Sequence, residues 1–119
     1  MEEPVVIKNI NTVIVNSLKG LGYKVYFLQK PDGVPGDDYV TFNYTVNSDW
    51  YSNDKPEVDT YFVTLNIVTP RPEKVFEMDS VIRQQLKETE GFTGISNQGS
   101  IYDKELRTFY TVITFETII

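Results

Sequence analysis

Residues 39–69, YVTFNYTVNSDWYSNDKPEVDTYFVTLNIVT, place the strongest constraint on how this chain can fold. Two runs of alternating apolar and polar side chains flank a polar stretch, and a period of two sends successive side chains to opposite faces of a strand. The strand expected over 39–46 turns Val40, Phe42, Tyr44 and Val46 to one side, and the strand over 58–69 does the same for Tyr61, Val63, Leu65 and Ile67. The intervening residues 47–57, NSDWYSNDKPE, are too many and too polar for a two-residue turn, so they form an arm with Trp50 and Tyr51 at its middle.

The rest of the chain supplies elements to cover or extend that pair. Over residues 4–21, Val6, Ile10, Val13, Ile14, Leu18 and Leu21 recur at helical spacing, with Glu2, Glu3 and Pro4 suited to a helix start and Gly20 and Gly22 to its end. Residues 23–28 read as a short strand. Residues 29–38, QKPDGVPGDD, lack the regular oxygen spacing and closing Glu of a calcium loop and read as an ordinary turn region.

A second helix begins near Thr69 or Arg71, with prolines in its first turn and Gly91 at its end. Its apolar stripe is Val75, Met78, Ile82 and Leu86, widened by Phe76 and Val81, and Asp79 with Arg83 forms an i,i+4 ion pair of structural character. A short strand over 92–96, a turn over 97–100 and a strand over 106–119 complete the chain. Both faces of the last strand are partly apolar, which implies that something covers the second face. The expected fold is α+β, in the order α-β-β-β-α-β-β: one mixed or antiparallel sheet of about five strands with two helices on one face. A length of 119 residues suits a single domain over 1–119.

Composition narrows the chemistry. There is no His and no Cys, which removes the commonest general base, the commonest transition-metal ligand, thiol nucleophiles and disulfides. Carboxylates cluster at Asp37 and Asp38 and at Asp49, Asp54, Glu57 and Asp59, but in stretches expected to be wet, where no pKa would rise for acid–base work. The glycines build neither a phosphate loop nor a dinucleotide fingerprint. No catalytic, cofactor-binding or metal site is therefore expected, and no enzyme. A net charge of −6 with dispersed Lys and Arg argues against gripping nucleic acid. Neither a membrane-length apolar run nor an N-terminal signal pattern is present, so the expected setting is the cytosol or an assembly built from it. Aromatic arms of this kind anchor protein interfaces, and the candidate contact residues are Asp49, Trp50, Tyr51, Asn53, Asp54, Tyr61 and Tyr110.

The order of these segments resembles the tail-completion family of long-tailed bacteriophages and prophages, which includes tail terminators and head–tail joining proteins. The resemblance is carried by Leu18-Lys19-Gly20-Leu21-Gly22 closing the first helix, the KVYF and YVTFNY strands, and Ser48, Asp49, Asn53 and Asp54 in the arm. YFVTLNIVTP, VIRQQL and the closing FYTVITFE continue it. It implies a non-enzymatic virion subunit that assembles in the bacterial cytoplasm into a ring, commonly a hexamer, at the head-proximal end of a tail. The implied partners are further copies, tail-tube and head-connector proteins, with DNA passing through unbound and no membrane involved. A carboxylate-lined lumen would repel the passing phosphates. The alternative the residues allow is a small intracellular module that holds a peptide or protein with the aromatic arm.

Overall fold

The computed structural model describes residues 9–32, 38–49 and 58–118, apart from the side chains of Ser48, Asp49 and Val58. Helix α1 spans Ile10–Leu18 and runs into a 3-10 turn, Lys19–Leu21. Strands β1 (Lys24–Phe27), β2 (Tyr39–Asp49) and β3 (Val58–Thr69) follow, then helix α2 (Pro72–Glu88) and strands β4 (Phe92–Asp103) and β5 (Thr108–Ile118). This is the α-β-β-β-α-β-β order expected from the sequence.

The local chemistry explains the helix ends. Asn9 caps α1 by accepting the Asn11 N–H at 2.9 Å, and Gly22, at φ 83°, takes the left-handed geometry that ends the following 3-10 turn. The part of the first helix expected over 4–8 lies outside the described residues. Arg71 occupies the N-cap position of α2 without a side-chain capping bond, with Pro72 in the first turn, Glu73 beside the positive end of the helix dipole and Lys87 beside the negative end.

The five strands form one mixed sheet in the order β1-β2-β3-β5-β4, with β1 parallel to β2 and the remaining pairs antiparallel. Register aligns the apolar positions in rows: Val40 with Ile67, Phe42 with Leu65, Leu65 with Ile113 and Val63 with Phe115. All of these lie on one face and are buried, together with Ile10, Ile14 and Leu18 of α1 and Met78, Ile82 and Leu86 of α2. Each such side chain contributes about 1.5–3 kcal/mol by leaving water, so both helices are drawn to the same face.

The structure corrects several expectations. Val46 is 48 % exposed and Tyr44 is only half-buried, because β3 is about 40 Å long and α2 about 26 Å, so α2 does not extend over the whole length of the sheet. Phe76 is 77 % exposed, since α2 turns Met78, Ile82 and Leu86 inward and leaves Phe76 on its outer side. Strand β2 continues past residue 46, pairing Asn47 with Thr60 and Asp49 with Val58. The expected turn over 97–100 is instead part of one 12-residue strand, β4, whose register against β5 shifts at Thr93/Ser96 and Asn97/Gly99. Gly94 and Gly99, both at positive φ, absorb the extra residues as bulges, so the glycine that suggested a turn keeps the strand going.

Candidate protein interface

The contact residues expected from the sequence fall in three places. Trp50, Tyr51, Asn53 and Asp54 lie outside the described residues, and Asp49 is described only as the last residue of β2. Tyr61 sits on the helix-bearing face of β3, its ring edge-on to Tyr44 at 5.5 Å. Tyr110 sits on the opposite face of β5. Because Tyr61 aligns with Thr117, seven residues along β5 from Tyr110, the two tyrosines are about 24 Å apart along the strand. They do not form one site.

Tyr110 belongs to a different constellation, at the end of the sheet where β2 and β5 begin and β3 finishes. Tyr39 aligns with Val68, and Val68 with Tyr110, so the two rings flank the valine on the face opposite α1 and α2. Val68 is only 3 % exposed there. These three residues, with Lys30, Pro70, Leu106 and Thr108, line an open cleft of about 270 Å³. Lys30 Nζ lies 5.0 Å from the centre of the Tyr39 ring, a cation–π contact, and Tyr26 meets the same ring edge-on at 6.2 Å. Burial, with the neighbouring Tyr110, raises the Tyr39 phenol pKa above its ordinary value.

A polar clamp braces this end. Thr69 Oγ1 donates to Asp38 and accepts the Arg71 N–H at 3.2 Å, while the Arg71 guanidinium pairs with the same carboxylate. The start of β2, the end of β3 and the cap of α2 are thereby held together. Burial by itself would push the Asp38 pKa up, but hydrogen bonds from Thr69 and Arg71 and the charges of Arg71 and Lys74 outweigh it and hold the carboxyl below its usual value. The β4–β5 turn beside the cleft is set by Asp103 Oδ1, which accepts the N–H groups of Glu105 at 2.9 Å and Leu106 at 3.1 Å.

Charge divides along the strands. At the cleft end, among the described side chains, stand Lys19, Lys24, Lys30, Arg71, Lys74, Lys104 and Arg107 against Asp32, Asp38, Glu73, Glu77, Asp103 and Glu105, and Asp37 precedes Asp38 in the sequence. At the other end, among the described side chains, Asp59, Glu88, Glu90 and Glu116 face one base, Lys87, and the segment joining β2 to β3 carries Asp54, Glu57 and Lys55 in its sequence. The net −6 is therefore unevenly held: bases and acids nearly balance at the cleft end, and the hairpin end is acidic.

Sequence reasoning singled out Tyr110 but missed its neighbours Lys30, Tyr39, Val68, Pro70 and Leu106. Alternation set Tyr39 opposite Val40 and Phe42, and Tyr110 opposite Phe109, Ile113 and Phe115, without deciding which face of the last strand meets the core. What it lacked was the pairing of β5 with β3, which brings residues 71 positions apart to either side of Val68.

No protein-family model matches the chain, and no curated protein matches it. Among solved structures, it is similar to a chain from the virion of a native gene transfer agent (GTA) particle. The match covers 86 % of this chain and 82 % of that one at a TM-score of 0.59, with 12 % sequence identity, and is a likeness of fold.

Proposed function

We propose that this chain is a structural subunit of a phage-like virion, without enzymatic activity, that works through contacts with copies of itself and with other virion proteins. The observation that carries the reading is the fold likeness to a virion chain across most of both molecules. The segment order described above, from the glycine-closed first helix to the FYTVITFE strand, points the same way. More finely, the subunit is a tail-completion protein, a terminator or head–tail joiner, assembled as a ring at the head-proximal end of a tail.

Physical features support such a role. A ring is built from heterologous contacts, in which one surface meets a different one on the next copy, and the two ends of this sheet differ in charge and shape. The net negative charge suits a subunit past which DNA moves without adhering. Deleting the gene and imaging the particles tests the reading. Heads and tails left unjoined, with labelled protein restored to the junction on complementation, are expected. Intact particles with undiminished DNA delivery would refute it.

A further inference from the structure

We infer that the Tyr39–Val68–Tyr110 cleft receives the Trp50–Tyr51 arm of a second copy, so that copies of this chain join head to tail. The inference rests on the self-assembly proposed above and names the surfaces that meet.

Reach decides between a chain's own cleft and its neighbour's. Ten residues of β2 separate Tyr39, at the cleft, from Asp49, where the arm departs, which is about 34 Å of strand. Only residues 50–57 join β2 to β3, and a segment that must go out and return extends at most about 14 Å. The arm therefore cannot reach the cleft of its own chain.

Chemistry matches the two. The cleft has aromatic and aliphatic walls in Tyr39, Tyr110, Pro70 and Leu106, with the Lys30 ammonium at its side. Leu106 is 64 % exposed, an apolar cost in the isolated chain that docking would remove. The arm offers Trp50 and Tyr51 beside Asp49, Asp54 and Glu57. At about 270 Å³ the cleft falls below the range of pockets for drug-sized ligands and fits an anchoring aromatic side chain. The Lys30 ammonium at the cleft wall is opposite in sign to the carboxylates of the arm. Because the two surfaces lie at opposite ends of the sheet, each copy can serve two neighbours, as a closed ring requires.

Trp50 is the sole tryptophan, so its fluorescence reports on the arm directly. Light scattering and Trp emission are followed together as the purified chain is concentrated, for the wild type, for Trp50→Ala with Tyr51→Ala, and for Leu106→Glu. Wild-type association is expected to bring a blue shift of the emission, and each variant alone is expected to associate at least about tenfold more weakly. Mixing the variants restores one good junction, between the intact arm of Leu106→Glu and the intact cleft of the arm variant. A one-to-one dimer with blue-shifted Trp50 is expected, which two unfolded variants could not form.

Wild-type assembly that leaves Trp50 in water and is unaffected by either variant overturns the docking inference and leaves the virion reading standing. Self-association unchanged by Leu106→Glu, with loss of binding to tail tubes, assigns the cleft to a different protein and likewise overturns it. A wild-type chain that stays monomeric at every concentration and beside tail tubes overturns both.

Discussion

Asn97 Nδ2 donates a 2.8 Å hydrogen bond to Asp79 Oδ1, tying edge strand β4 to the helix that packs over it. Arg83 grips the same carboxylate through two bonds, from Nε at 2.9 Å and from its terminal nitrogen at 2.7 Å. Asn97 Oδ1 in turn accepts the Gly99 N–H at 2.7 Å. The i,i+4 pair legible in the sequence is thus half of a junction whose other half is a bulge, and Asp79 is 5 % exposed within it.

Replacing Asp79 by Ala removes the carboxylate that accepts from the exposed Asn97 amide and from the partly exposed Arg83 guanidinium. The expected loss is about 1.5–3 kcal/mol, the range for losing a hydrogen bond to a charged group. It is read as a lower urea midpoint at unchanged slope.

Gly99 holds φ at 112°, a conformation in which L side chains are strained even though space around its Cα is open. Gly99→Ala should cost about 1–3 kcal/mol through backbone strain alone. Amide exchange is expected to accelerate first around the second bulge of β4, and uniform acceleration across the sheet would instead mean that the bulge does not open separately.

Ile82 is completely buried and Phe76 is 77 % exposed on the same helix. Ile82→Ala is expected to destabilise the fold by about 2–5 kcal/mol, whereas Phe76→Ser should change it by less than about 0.5 kcal/mol. Thermal unfolding of the pair checks the assignment of the two faces of α2.

Asp38 links stability to pH. Its folded-state pKa is depressed, so its contribution is fully present above the unfolded carboxylate value of about 3.9 and is lost as pH falls through the folded value. Stability of the wild type should therefore fall more steeply below about pH 4 than that of Asp38→Asn, which lacks the titrating group. Equal slopes in urea titrations over that window would dismiss Asp38 as a source of acid sensitivity.

The patterns that repeat locally were legible in the sequence. A period of two sorted Val40, Phe42, Val63, Leu65 and Ile67 to the core, helical spacing did so for Ile10, Ile14, Leu18, Met78, Ile82 and Leu86, and the resulting element order is the one observed. The absence of His and Cys narrowed the chemistry before any fold was known. Alternation tells which side chains share a face, but not which strand lies alongside or how far a helix reaches. Those are settled by register and packing between distant segments. Only the tertiary structure therefore decided that Val46 escapes the helices, that Gly99 makes a bulge where a turn was expected, and that Tyr39 and Tyr110 close on Val68 to form a cleft. The arm between β2 and β3 was legible as an aromatic, acidic segment, and what it can meet follows from the position of that cleft at the far end of the sheet.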